Sequence, residues 1–111
     1  NGVTILKFFL HISREEQKER LLARLEDPSK HWKFNEDDLG ERALWRSYTT
    51  AYRDALRRCS TPWAPWYIVP ADTKKARDYL VAQVVVDTLA RMAPRYPKAT
   101  ADALKLKNAI D

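Results

Sequence analysis

The sequence predicts an α/β chain, mostly helical, with two short strands that pair in parallel. Three observations carry this. Val3, Ile5, Leu6, Phe8, Phe9, Leu10 and Ile12 form a near-continuous apolar run, the pattern of a strand covered on both faces, as in parallel sheets. A second run, Trp66-Tyr67-Ile68-Val69, is bracketed by Pro65 and Pro70 and reads as a short buried strand. Between the two lie stretches of helical periodicity, enough chain for the crossover that a parallel pair requires.

The first strand is expected over Val3 to Ile12. Ser13-Arg14-Glu15-Glu16 follows it directly and forms a capping box, with Ser13 accepting from the Glu16 amide and Glu16 reaching back to the Ser13 amide. In the helix that begins there, about 100° per residue puts Leu21, Leu22 and Leu25 in one sector, the glutamates in a second, and Gln17, Arg20 and Arg24 in a third. Arg20 and Arg24 are one turn apart, so both guanidinium forks point the same way and match phosphate oxygens. An ordinary i,i+4 pair of Glu16 with Arg20 is the competing use of that face. Pro28 stops the helix, and Lys30 and Lys33 flank Trp32 on a loop from Asp27 to Phe34.

Asn35 and Asp38 are expected to cap a short turn, with Gly40 marking the break before a helix from Glu41 to Arg58. Leu44, Trp45, Tyr48, Tyr52 and Leu56 form its buried stripe, and Arg42, Arg46, Arg53 and Arg57 its opposite face. After the second strand, Asp72 is the expected N-cap of the next helix. Ala76 to Met92 is apolar over more than one face, so this helix should be buried against the sheet. Pro94, Tyr96 and Pro97 end it, and Ala99 to Asp111 forms a terminal helix capped by Thr100.

A net charge of +5 and a pI near 9.5 favour an anionic partner. The expected helix places its aromatics on the core side, away from the basic residues, so no stacking platform for bases forms and nucleic acid is disfavoured. No apolar run approaches the roughly 20 residues of a membrane helix, so no membrane partner is expected. Cys59 is the only cysteine; it excludes an internal disulfide, which fits a reducing, cytoplasmic setting, and its neighbours offer no base for a catalytic thiol. His11 and His31 share no familiar metal-ligand spacing with Cys59 or the acids, which leaves His11 to packing at the strand end and His31 to the loop.

Several motifs occur in a fixed order: KFFLHIS, then EEQ with Arg20 and Arg24, DPSKHWKF, DDL, ERALW with Tyr48 and AY, STPWAPWYIVPAD, Lys74, Ala76-Arg77, and RYP at Arg95. Together they resemble the family-2 polyphosphate kinases, the polyphosphate:nucleotide phosphotransferases. The resemblance implies the C-terminal part of a P-loop kinase-like three-layer fold. It also implies transfer of a phosphoryl group between inorganic polyphosphate and a nucleoside mono- or diphosphate, with magnesium, by a cytoplasmic homo-oligomer. Residues 14–60 would be the lid, 61–97 the last strand and its buried helix, and 98–111 a tail. Carried over by position, Arg20 and Arg24 are the catalytic lid arginines. Gln17, Lys30 and Lys33 bind phosphate or polyphosphate, and Trp32 anchors the loop by packing. Asp72, Lys74 and Arg77 lie beside the nucleotide. Asp37 and Asp38 come within reach of metal or nucleotide in a closed lid, although helix capping is the simpler use of both.

The sequence also departs from that family. A P-loop needs G-x-x-x-x-G-K-[ST], and the only glycines are Gly2 and Gly40; an aspartate serving magnesium finds no counterpart before Val3. The sole methionine is Met92. The expectation is therefore the C-terminal part of a larger kinase, inactive alone, with magnesium held mainly by the missing N-terminal half of the same chain. Two alternatives stand beside it: a non-enzymatic basic helical module that binds nucleic acid or an acidic partner, and a nucleotide kinase restricted to nucleoside triphosphate donors.

Overall fold

The computed structural model describes residues 2–110. Two strands, β1 (Lys7–His11) and β2 (Trp66–Pro70), pair in parallel, with Lys7 opposite Trp66 and His11 opposite Pro70. β1 is shorter than the apolar run from Val3 to Ile12 because a ladder extends only as far as its partner, and β2 is confined between Pro65 and Pro70. Val3 and Ile5 lie outside the ladder and are 76% and 55% exposed. The aromatics of β1 alternate as the pleat requires: the Phe8 ring lies 5.6 Å from Tyr67, and the Phe9 ring lies 4.8 Å from Tyr52.

The crossover between the strands begins with α1 (Arg14–Glu26), where Ser13 Oγ accepts from the Glu16 amide at 3.1 Å. The reciprocal half of the expected capping box is not formed. Glu16 Oε1 instead accepts from Arg20 Nε at 2.9 Å, and the Ser13 amide donates to Asp72. Ser13→Ala removes the cap and is expected to cost about 1 kcal/mol of stability, read as a lower urea midpoint at unchanged slope.

The segment Pro28–Lys33, expected as a loop, is a 3-10 helix. The Asp27 carboxylate opens it by accepting from the Ser29 amide and hydroxyl at 3.0 and 2.7 Å, which holds the Asp27 carboxyl below the usual range. Proline at the first position costs no hydrogen bond there. His31 Nε2 sits 2.7 Å from the Leu25 carbonyl and so ties the segment back to the end of α1.

The single helix expected over Glu41 to Arg58 is two, α2 (Asp37–Ala43) and α3 (Trp45–Cys59), and the break falls at Leu44 rather than Gly40. The Leu44 amide bonds to Glu41, a tightened last turn that ends α2. The expected capping of this helix by Asn35 and Asp38 is corrected: Glu36 holds the N-cap position with no side-chain cap bond, and Asn35 Oδ1 accepts from the Asp37 amide at 3.0 Å in the turn that leads into it. At its far end α3 returns to the start of the sheet, where Lys7 Nζ donates to the Cys59 carbonyl at 2.7 Å and lies 5.2 Å over the Trp66 ring.

α4 (Lys74–Met92) follows β2 and closes with Ala93 in the left-handed region, φ 45°. α5 (Ala101–Leu106) is capped by Thr100, which accepts from the Ala103 amide at 3.1 Å, and a short 3-10 turn, Lys107–Ala109, comes after it. The expected end of the terminal helix at Asp111 lies outside the described residues.

Among the described residues the buried apolar ones are Val69 and Ala71, and Thr88, near the far end of α4, is buried with its hydroxyl donating to the Val84 carbonyl. The radius of gyration is 22.3 Å, against about 13 Å for a compact domain of this length. Two expectations of burial are therefore corrected. Tyr48 and Tyr52 on α3, and Tyr79 and Val86 on α4, are exposed. The apolar faces are present as the sequence reads, but a two-stranded sheet offers too little surface to cover both helices. A groove of about 880 Å³ opens between β1 and α3, lined by Phe9, Trp45, Tyr52 and Leu56. A second cleft, about 600 Å³, separates Phe8 and Leu10 from α4.

Candidate functional site

Ligands of α/β sheets gather at the C-terminal ends of the strands, and here those ends are latched together. One residue beyond the ladder, the Ala71 amide donates to the His11 carbonyl at 2.8 Å. The Ser13 amide donates to Asp72 Oδ1 at 2.7 Å. Arg20 Nη2 donates to the carbonyls of Ala71 and Asp72 at 2.7 and 3.2 Å, while its Nε holds Glu16. The start of α1 is thus fastened to the turn between β2 and α4 from both sides.

The expected N-cap role of Asp72 is corrected: Thr73 occupies that position, with no side-chain cap bond. Asp72 instead caps the approach to a different helix, through a partner 59 residues away in sequence. The Ser13 amide, then the Ser13 hydroxyl, and after them the charges of Arg20 and His11 hold the Asp72 carboxyl below its usual value of 3.8. A lowered carboxylate contributes stability that is present above its ordinary pKa and lost as pH falls through the lower folded value. Wild type and Asp72→Asn are therefore expected to differ most above about pH 5 and to converge as pH falls through the lowered folded value, which acid unfolding followed by circular dichroism would measure.

The other cations form a second, looser group at the far end of α1. Arg24 Nη1 lies 3.4 Å from the Lys33 carbonyl and 3.7 Å from Asp38 Oδ2. Lys30 Nζ is 3.7 Å from Asp27. Lys33 Nζ lies 5.2 Å over the ring of Trp32, which is 79% exposed, so the expected anchoring of the loop by a packed Trp32 is corrected: the ring backs a lysine instead. Asp38, expected as part of a cap, pairs with Arg24.

Arg20 and Arg24 do not converge, although they sit one turn apart. The donors of Arg20 are taken by backbone carbonyls and Glu16, as the competing i,i+4 pairing anticipates, whereas those of Arg24 are held weakly. Gln17 Oε1 accepts from Arg42 Nη1 at 3.0 Å, and the same nitrogen donates to the Arg14 carbonyl at 2.8 Å. Arg42 thereby stitches α2 to α1, a role a local reading misses because its partners lie 25 and 28 residues earlier. Arg77 pairs with Asp78 at 2.9 Å and lines the cleft beside α4. Lys74, on the first turn of α4, is exposed and has no side-chain partner among the described residues.

In chemical terms, Arg24, Lys30 and Lys33 present three cations whose present contacts are weak enough to exchange for phosphate oxygens. The described residues contain no group of three His, Cys, Asp or Glu side chains able to hold a metal ion. These residues do not fit the magnesium that the resemblance implies. No helix is long and apolar enough to cross a membrane among the described residues.

Comparison with known proteins gives a consistent answer. The profile described as Polyphosphate kinase 2 (PPK2) matches residues 1–97. The chain is 50% identical over 97 residues to the AMP/ADP-polyphosphate phosphotransferase of Meiothermus ruber, covering 87% of this chain and 36% of that relative. It is 41% identical over 115 residues to an uncharacterized protein in the chlN 3' region of Leptolyngbya boryana, covering 100% of this chain and 85% of that one. The crystal structure of polyphosphate kinase 2 from Arthrobacter aurescens TC1 superposes with a TM-score of 0.90 at 45% identity, over 98% of this chain and 39% of that chain. The arrangement of helices and two parallel strands is thus part of a P-loop kinase fold, and the chain spans a little over a third of the length of the Meiothermus and Arthrobacter proteins.

Proposed function

Because the chain belongs to the polyphosphate kinase 2 family, we propose that it is the lid-bearing portion of a phosphotransferase that moves a phosphoryl group between inorganic polyphosphate and a nucleoside mono- or diphosphate. The observation that carries this reading is the close superposition, at 45% identity, on a solved polyphosphate kinase 2. The group of weakly held cations on the crossover is what a lid over phosphates needs.

Residues 14–60 are the lid in this reading. Phosphoryl transfer depends on positioning and on neutralising charge spread over the transferred group's oxygens. Arg24, Lys30 and Lys33 supply that charge. Arg20, Ser13 and Asp72 hold the base of α1 against the strand ends, so that the cations swing about a fixed root. Lys74 and Arg77 flank the nucleotide side, at the start of α4. The phosphate cradle G-x-x-x-x-G-K-[ST] is not among these 111 residues, and in this reading another part of the enzyme supplies it. The assembled enzyme is a cytoplasmic homo-oligomer.

The test mixes this chain with the remaining, P-loop-bearing portion of a family-2 polyphosphate kinase and follows ATP formation from ADP and polyphosphate. Turnover is expected only when both are present. A mixture that stays inactive, or turnover by this chain alone, would overturn the assignment.

A further inference from the structure

α3 carries a second basic surface that the lid does not use. At about 100° per residue, Arg46, Arg53 and Arg57 fall within about 40° of one another. Over eleven residues at 1.5 Å each they line about 16 Å of helix. All three are exposed, and none has a carboxylate within ion-pair distance among the described residues. The one acid on α3, Asp54, projects well outside that sector. Thr49 and Thr50 border it, and Arg53 and Arg57 form the rim of the groove. The sequence expectation sets these arginines opposite the apolar stripe; Arg53 and Arg57 instead flank it, lining the groove with Trp45 and Tyr52.

The direction of this stripe matters. It starts just past the break at Leu44 and ends where the Cys59 carbonyl receives Lys7 at the beginning of β1. It therefore leads away from the C-terminal strand ends, where Asp72 and Arg20 sit, and away from Arg24, Lys30 and Lys33 at the far end of α1. We infer that Arg46, Arg53 and Arg57 form a distal track for the unreacted length of a long inorganic polyphosphate chain. This rests on the polyphosphate reading above and adds a site to it. Guanidinium forks match phosphate oxygens, and three unpaired arginines spaced along about 16 Å of one helix face suit the repeated phosphates of an extended chain.

The experiment uses the full chain and measures binding of two probes, tripolyphosphate and long-chain polyphosphate, by calorimetry across a salt series. For R46Q/R53Q/R57Q the expected result is at least tenfold weaker binding of long chains, with tripolyphosphate unchanged. The salt slope for long chains should fall by about 2, on the basis of about 0.7 per lost phosphate contact. R46K/R53K/R57K keeps the charge and should keep the wild-type salt slope while losing only the part of the affinity that the planar forks supply, which separates the track from any general loss of folding. Unchanged long-chain affinity and slope in the glutamine variant would overturn the track, as would wild type that binds no long polyphosphate. So would single-stranded DNA of equal charge binding tenfold tighter than polyphosphate. K30Q/K33Q in the same assay reads the lid separately. Loss of tripolyphosphate binding there, beside an inert glutamine variant on α3, would sink the track alone; the converse pattern would sink the lid reading alone.

Discussion

Arg24→Ala is expected to lower phosphotransfer by the assembled enzyme about 10³-fold, or about 4 kcal/mol of transition-state stabilisation, with little change in the stability of the chain. The reason is the contrast between what Arg24 holds now and what a lid cation would hold during transfer. Its contacts at 3.4 Å to Lys33 and 3.7 Å to Asp38 are long, and its side chain is 39% exposed. Exposed pairs of this kind contribute at most about 1 kcal/mol, so breaking them frees the guanidinium at little cost. A planar fork brought onto the oxygens of the transferred group acts as an arginine finger does. The check is a kcat measured beside an unfolding curve for the same variant. A fall of less than about tenfold, or a loss of stability large enough to account for the fall, removes Arg24 from that role.

Arg20→Ala is expected to show the opposite division, a loss of about 2–3 kcal/mol in stability as its primary effect. Its Nη2 donates to the Ala71 and Asp72 carbonyls, its Nε pairs with Glu16, and Ala71 is only 1% exposed. Truncation leaves the Ala71 carbonyl without its charged donor, in a place where water is a poor substitute. The urea midpoint should drop with the slope unchanged, and Arg20→Lys should recover only part of the loss, because an ammonium lacks the planar fork that serves two carbonyls and a carboxylate together. An unchanged midpoint would show that the latch contributes nothing to stability. The two arginines look alike in sequence, one turn apart on one face; the expected separation of their effects follows from what lies opposite each.

The features legible from residues alone are those set by short-range chemistry. Ser13 and Thr100 cap their helices and Pro28 ends α1, because each effect acts within three or four residues. The parallel pairing of the two strands follows from their apolar runs and the length of the crossover between them. The family is legible too, since its motifs are strings of neighbouring residues. The lysines flanking Trp32 and the arginines of α1 are visible as cationic groups on the same grounds.

Contacts between distant segments settle the rest. β1 ends where β2 offers no further partner, whatever the hydropathy of Val3 and Ile5. Asp72 caps Ser13 rather than its own helix because a carboxylate takes the nearest unpaired amide in space, here 59 residues back. Arg42 leaves its expected solvated face for the same reason, with Gln17 and the Arg14 carbonyl within reach. The apolar stripes of α3 and α4 were readable as stripes, but burial belongs to a pair of surfaces, and a periodicity specifies only one of them. The amino-acid order therefore set which side chains could bind phosphate, and the folded arrangement set which of them are already occupied.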